Sequence, residues 1–321
     1  MEQIKTIAKQ ANISYFSKII SKGLGYFTML LLTSFLTPDQ FGAFQLMHTI
    51  LIVGVMLSVW GLKGVLSRYI PFLKNRSDSL EKSKFLIKKL FGLTVGLSFL
   101  ILGVFYLFPE QISSLFKTEN ISSEFISGLK ILMILVPAYT LIRLTSSTFK
   151  GYKDLFYPSL INNIFKPVGK TILAGVLLIL GGGLIDWIFS YTVLIIFLSV
   201  LFVCLLYSNY LKHWWKKTKE KKPDMKELFS FSWPLIINNL FGVVSSNVSA
   251  LLIGYFIATK EVGVHSIYVA TVSVIGFLIG AISGIFKPIA SENSFDELDK
   301  TKKLYKRVSK WGYLFSGAFL I

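Results

Sequence analysis

The chain has little of several residue types on which enzymes, metalloproteins and disulfide-stabilised proteins depend. Its 321 residues include one cysteine, Cys204, and three histidines. A lone cysteine forms no intrachain disulfide and no cysteine metal site, and His48, His213 and His265 are too scattered for a paired ligand spacing. No nucleotide motif is present, and Gly181 to Gly183 lack the lysine-serine pair that follows a phosphate loop. We therefore expect no cofactor, no metal and no enzymatic activity.

Acidic residues are also scarce, and none lies inside the long apolar runs that make up most of the chain. The composition is 53% apolar with a mean hydropathy of +0.62. Eight runs approach the ~20 residues that a helix needs to cross ~30 Å of hydrocarbon, and a ninth begins at Trp311. The eight runs are Ile13 to Leu36, Ala43 to Leu62, Leu90 to Leu107, Phe125 to Leu141, Tyr157 to Leu180, Trp187 to Leu206, Phe229 to Ile257 and Ser266 to Phe286.

The runs predict an all-α integral membrane protein. They are continuous apolar stretches, far longer than the ~10 alternating residues of a membrane β-strand. The first run is too long for a cleaved signal peptide, and a turn at Thr37 to Asp39 follows it in place of a small-residue cleavage site. We therefore expect the N-terminus to stay attached.

Lysine and arginine are concentrated in every second gap between the runs. By the positive-inside rule these gaps face the cytoplasm, which predicts a multi-pass cell-membrane protein with a cytoplasmic N-terminus. The other gaps are short or acidic, as at Asp39 and Asp186, and Trp187 at the outer start of the sixth run is typical of an aromatic belt. The basic segments are the N-terminus with Lys5 and Lys9, then Arg68 to Lys89, Arg143 to Lys153, Lys212 to Lys226 and Lys287 to Lys310.

The net charge of +17 raises nucleic acid as a partner. However, the charge is divided among separate loops with no recognition module. Membrane topology explains that distribution better, with attraction to anionic lipid as a by-product. We therefore expect a lipid bilayer and no nucleic acid among the partners.

The chain contains an internal repeat. Phe35 to Leu46 (FLTPDQFGAFQL) aligns with Phe256 to Ile267 (FIATKEVGVHSI), and Leu80 to Leu90 aligns with Leu298 to Val308. Six spans separate the copies, so both have the same orientation, as in parallel repeats with a substrate cavity between two lobes. The pattern predicts a first lobe with six helices at residues 1–210, a basic cytoplasmic linker at 211–228, and helices seven, eight and the start of nine of a second lobe at 229–321. We also expect the second lobe to continue beyond Ile321.

Several short motifs resemble those of the polysaccharide flippases in the multidrug/oligosaccharidyl-lipid/polysaccharide exporter superfamily. The matching passages are LTPDQFGAFQL, GLKGVLSRYIP, FKGYKDLFYPSLINNIFKPVGK, FSWPLIINNLFGVVSSNVSALLIGYF and ISGIFKPIASE, in that order along the chain. The resemblance implies two six-helix lobes around a central cavity that opens alternately to the two sides. It also implies outward movement of a polyprenyl-diphosphate-linked oligosaccharide, with polysaccharide polymerase or glycosyltransferase components as candidate protein partners.

Two predicted spans retain lysines on one helical face. The first carries Lys18 and Lys22, and the fifth carries Asn163, Lys166 and Lys170, with Pro167 between the lysines. Burying an unpaired charge costs at least ~2.5 kcal/mol, so these side chains are expected to face water or an anionic ligand such as a diphosphate. The alternative is that lysines near helix ends reach the headgroups, which would also hold for the fifth span if its helix began at Pro167.

Further candidates lie in the seventh span and at the cytoplasmic ends of the spans. Asn238 and Ser245 belong to a polar stripe that would hydrogen-bond sugar hydroxyls, although small and amide residues also mediate ordinary helix packing in lipid. Lys63, Arg68 and Arg143 end spans at the cytoplasmic mouth, where they would meet the lipid diphosphate or only set the topology.

Three functions are compatible with these features. A lipid-linked oligosaccharide flippase requires a cationic, polar cavity and no hydrolysable cofactor, as found here. A multidrug or cation antiporter of the same superfamily would need carboxylates within the membrane. A membrane glycosyltransferase would normally have acidic or histidine chemistry on a sizeable outer loop. The first function fits best, for cell-surface polysaccharides such as lipopolysaccharide, O-antigen or capsule.

Overall fold

The computed structural model describes residues 2–60, 62–73, 79–118, 122–212 and 225–273, which form helices joined by short turns, without a β-strand in these ranges. The helices are α1 (Glu2–Phe35), α2 (Pro38–Val59), α3 (Lys63–Leu73), α4 (Ser79–Leu107), α5 (Pro109–Ser114), α6 (Ser122–Met133), α7 (Leu135–Gly151), α8 (Phe156–Ser159), α9 (Lys166–Leu180), α10 (Leu184–Leu206) and α11 (Met225–Phe256), with π-helical turns at Leu160–Phe165 and Tyr207–Leu211. Residues 259–273 are helical as well.

Five helical segments of the described chain are long and apolar enough to cross a membrane. They confirm the prediction of an all-α, multi-pass membrane protein. They are Pro38–Val59, Glu81–Leu107, Ser123–Gly151, Phe156–Leu180 and Leu184–Leu211.

The helices extend beyond several of the apolar runs. α1 begins at Glu2, eleven residues before the predicted run, and α4 begins at Ser79 within a lysine-rich segment. Lysine and glutamate are good helix formers, so a polar flank does not interrupt the backbone hydrogen bonds. The basic gap after the second run also contains a helix of its own, α3.

The fifth predicted span is irregular but continuous. A π-helical turn at Leu160–Phe165 leads directly into α9, and Pro167 occupies the first turn of that helix. The segment from Phe156 to Leu180 is a single membrane-length unit. The span therefore does not begin at Pro167, because the helical turns before it belong to the same segment. At ~1.5 Å per residue, Lys170 lies ~20 Å along the span from Phe156.

The core of the described fold is centred on α7. This helix packs against α10, α3, α4 and α2, while α1 packs along α9. Trp187 corrects the aromatic-belt interpretation, because only 1% of its surface is exposed. Its ring stacks on Tyr191 at 5.8 Å and meets the edge of Phe44 at 5.7 Å, so the start of α10 turns this side chain into the bundle.

The chain separates by contact density into Met1–Val264 and His265–Ile321. Of the second unit, the structure describes residues 265–273, which are helical. The end of the eighth run, the ninth run, most of the 211–228 linker and the repeat copy at 298–308 lie outside the described residues. The division into two lobes at residues 211–228 stays a prediction.

Candidate functional site

A polar cavity of about 560 Å³ lies between α1, α3, α7 and the segment that joins α8 to α9. Three of its lining residues are apolar, namely Ile142, Leu155 and Pro158. Most of the other lining residues are hydroxyl or amide side chains, which hydrogen-bond as donors and as acceptors. They are Ser14, Ser146, Ser147, Ser159, Asn162 and Asn163.

Four basic side chains also line this cavity: Lys18, Lys63, Arg143 and Lys150. Lys18 and Lys150 are exposed within it, whereas Lys63 and Arg143 are partly buried. Burial lowers the pKa of the Lys63 ammonium group, and the charges of Arg143 and Lys150 lower it further. None of the residues that line the cavity is acidic, so this site is arranged to attract an anion.

Close helix packing brings the basic residues together. A Cβ atom on Gly151 would lie 2.7 Å from the carbonyl oxygen of Leu66, so only glycine lets α3 approach the end of α7 this closely. That approach places Lys63 of α3 beside Arg143 and Lys150 of α7. The side chain of Asn163, which lines the cavity, donates a hydrogen bond of 3.0 Å to the Ser17 hydroxyl and joins the π-helical turn to α1.

A second group of cations lies further along α9. The Lys166 Nζ atom is 4.3 Å from the centroid of the Tyr139 ring, and the Lys170 Nζ atom is 4.5 Å from that of Tyr191. Both distances are within the ~6 Å range of a cation–π contact. Tyr139 and Arg143 lie four residues apart on α7, which places them one turn apart on the same face, and Arg143 lines the cavity. Arg143 therefore connects this lysine–tyrosine cluster of Lys166, Lys170, Tyr139 and Tyr191 to the polar cavity.

Hydrogen bonds hold the lysine–tyrosine cluster in place. The Tyr139 and Tyr191 hydroxyls hydrogen-bond each other, and the Nε2 atom of His48 lies 3.5 Å from the Tyr191 hydroxyl. The Thr28 and Thr171 hydroxyls, 2.7 Å apart, join α1 to α9. The two lysines therefore project from a helix that is hydrogen-bonded to α1, towards two tyrosines that are hydrogen-bonded to each other.

The structure brings together some of the residues selected from the sequence. Lys18, Asn163, Lys63 and Arg143 line the cavity, and Lys166 and Lys170 form the adjoining cluster. The others do not line this cavity and are exposed: Lys22 on α1, Arg68 on α3, and Asn238 and Ser245 on α11.

Sequence reasoning missed Lys150, Ser146, Ser147, Asn162, Tyr139 and Tyr191. One signal was available for the first three. Arg143, Ser146, Ser147 and Lys150 recur at intervals of three and four residues, which places them on one face of a helix. No sequence signal identified the tyrosines, because their role depends on the lysines of another helix.

The fold and the cavity define a multi-span helical membrane protein with a positively charged, polar cavity within the bundle. A family model described as "Polysaccharide biosynthesis protein" matches residues 7–294. Because this match covers most of the chain, the protein belongs to that family, the polysaccharide and oligosaccharide-lipid flippases. None of the curated proteins matches the chain.

Proposed function

We propose that the protein exports polyprenyl-diphosphate-linked oligosaccharide units by flipping them across the cell membrane. The observation that carries this proposal is the cavity with four basic residues, six hydroxyl or amide side chains and no acidic side chain. A diphosphate is the anionic group of such a lipid, and Lys and Arg are its ordinary protein partners. The hydroxyl and amide groups would hydrogen-bond the sugars.

The charge of the cavity argues against a cationic substrate. A multidrug cation antiporter would need a carboxylate to bind the drug and the coupling ion. Every charged residue that lines the cavity is basic instead. Charge complementarity therefore favours the lipid diphosphate over the antiporter's substrates.

The lysine–tyrosine cluster gives the diphosphate a second position. Lys166 and Lys170 are each held by a cation–π contact, and the ring under Lys166, Tyr139, lies one turn from Arg143 on α7. Such contacts are worth ~0.5–2 kcal/mol, less than a charge-assisted bond to phosphate in a dry site. The lysines would therefore leave the tyrosine rings for the anion as it passes from the cavity to the lysine–tyrosine cluster.

The topology that this proposal needs places the N-terminus in the cytoplasm and the protein in the cell membrane. In a variant without Cys204, single cysteines at Gln40 and Ser114 are expected to react with a membrane-impermeant thiol reagent in intact cells. Cysteines at Ser79 and Lys219 are expected to be shielded until the cells are permeabilised, because they fall in basic gaps. Reaction of the second pair in intact cells would invert the topology and remove the case for outward flipping.

Reconstitution tests the proposed function directly. The complete gene product, placed in proteoliposomes with a fluorescent polyprenyl-diphosphate oligosaccharide, is expected to move the lipid between leaflets. The measurement is the fraction of fluorophore that a membrane-impermeant quencher reaches over time. The control is a polyprenyl oligosaccharide without the diphosphate, for which we expect movement close to that of protein-free vesicles. Equal movement of both lipids would contradict recognition of the diphosphate.

A further inference from the structure

The cavity has two walls of different chemistry. Its four basic residues all belong to α1, α3 and α7, whereas residues 155–163 contribute only uncharged side chains to the lining. Three of those side chains, Ser159, Asn162 and Asn163, carry a hydroxyl or an amide. We call residues 155–163 the amide wall and the other side the basic wall. The basic wall suits a diphosphate, and the amide wall suits sugar hydroxyls.

The turn at residues 152–154 joins the two walls, and two other elements hold it. Lys153 has a φ of 62°, in the left-handed region that residues other than glycine rarely adopt. Such a conformation persists only where neighbouring contacts hold it. One contact comes from α1, because the Gln10 side-chain oxygen accepts a hydrogen bond of 3.2 Å from the Leu155 N–H.

The other contact joins Asp154 to the end of α10. Asp154 is buried, and both of its carboxylate oxygens accept hydrogen bonds. One accepts from the Phe156 N–H at 2.9 Å, at the start of α8, and the other accepts from the Tyr210 hydroxyl at 2.8 Å. Tyr210 belongs to the π-helical turn after α10. Its ring stacks on Tyr152 at 4.9 Å and lies perpendicular to the Phe149 ring at 5.5 Å.

We propose that Tyr210 and Asp154 are a positioning pair, which sets the amide wall against the basic wall and thereby governs recognition of the sugars. This role rests on the proposed transport of a lipid-linked oligosaccharide. Neither residue lines the cavity, so the pair acts through the turn and the start of α8. Without the Tyr210 hydroxyl, a buried carboxylate oxygen would lose its partner, which is costly. The turn would shift, and with it the groups that meet the sugars, while the four basic residues would still meet the diphosphate.

Binding of lipids with and without sugars tests this division. The complete gene product in nanodiscs is titrated with a fluorescent polyprenyl diphosphate that carries no sugar. The lipid-linked oligosaccharide extracted from the organism that carries the gene then competes with this tracer. A hydrogen bond to a charged acceptor changes the population of an ordered state about tenfold or more. Because apparent affinity falls with the competent population, we expect Tyr210→Phe to weaken binding of the extracted lipid about threefold or more and that of the tracer less than about twofold.

The matched control is Tyr207→Phe, which removes an exposed hydroxyl from the same π-helical turn and should leave the binding of both lipids unchanged. Asp154→Asn keeps an acceptor for the Phe156 N–H, so it should lose less affinity for the extracted lipid than Asp154→Ala. Because Asp154→Ala already lacks the bond to Tyr210, adding Tyr210→Phe should cause no further loss. If Tyr210→Phe weakens both lipids equally, or neither of them, the positioning pair is overturned.

Hydrogen exchange without lipid separates this proposal from the proposed function. The Phe156 amide donates to Asp154, so its exchange should be about tenfold faster in Tyr210→Phe than in Tyr207→Phe. If that difference appears and the natural protein binds neither lipid, the proposed function fails while the hold of Tyr210 on the turn stands. Equal exchange in the two variants would overturn the positioning pair even where the natural protein binds both lipids.

Discussion

Replacing both Lys166 and Lys170 with alanine is expected to abolish surface polysaccharide export while the protein remains at its normal level in the membrane. The two Nζ atoms lie over Tyr139 and Tyr191 inside the bundle. Each charge-assisted bond to a diphosphate is worth ~1.5–3 kcal/mol, so losing both would weaken binding by at least about a hundredfold. Membrane insertion should be unharmed, because removing a charge from a span is favourable. The measurement is polysaccharide accumulation in a flippase-deficient host that carries the complete gene.

Graded substitutions separate charge from structure at the same two positions. Arginine should retain part of the activity because it keeps the charge while changing its shape and reach. Glutamate should be worse than alanine, because it repels the diphosphate. A matched control is the Lys117→Ala, Lys130→Ala double variant, since both of these lysines are exposed and neither lines the cavity. Normal export by the Lys166→Ala, Lys170→Ala protein would show that the α9 lysines do not carry the substrate.

The helical membrane fold was predictable because hydrocarbon imposes a simple requirement on the sequence. Backbone groups within it must be satisfied inside each segment, so long apolar runs mark helices before any tertiary contact is known. The helix ends were less predictable. α3 and the first turns of α1 and α4 contain lysines and lie outside the apolar runs. Hydropathy alone therefore does not predict that they are helical. Trp187 shows a related limit, because a tryptophan at the end of a run suits either the interface or the core.

A site residue could be predicted only where the sequence of its own helix marks it as unusual. Lys166 and Lys170 are notable within their own span because a charge there is costly. Lys150 lies at the end of α7, where a basic residue is ordinary and topology explains it. Its significance appears when the close approach at Gly151 brings Lys63 next to α7 and when α1 adds Lys18. Those contacts join residues far apart in the chain, so a single sequence does not specify them.

Reversing two of the cavity charges is expected to stop export even with the α9 lysines intact. Lys18 and Lys150 lie close enough to repel each other, and both line the cavity with Lys63 and Arg143. The Lys18→Glu, Lys150→Glu protein would hold two acids and two bases where the natural chain holds four bases. A dianion would lose two attractive charges and meet two repulsive ones. Although solvent screens exposed groups, we expect binding to weaken about tenfold or more, equivalent to ~1.4 kcal/mol.

Two further variants show whether the charge in the cavity causes the loss of export. One makes the cavity lysines neutral, and the other moves the same charge change outside the cavity. Lys18→Gln, Lys150→Gln should fall between the natural chain and the double glutamate, because it removes attraction without adding repulsion. The Lys153→Glu, Lys212→Glu control makes the same change in net charge at two exposed residues that lie outside the membrane-length segments and outside the cavity lining, and it should export normally. Transport of the fluorescent lipid in proteoliposomes, measured over a range of lipid concentrations, distinguishes weaker binding from slower movement. Equal losses in the cavity variant and the displaced control would mean that net charge acts through membrane topology, and the cavity would then have no role in recognising the diphosphate.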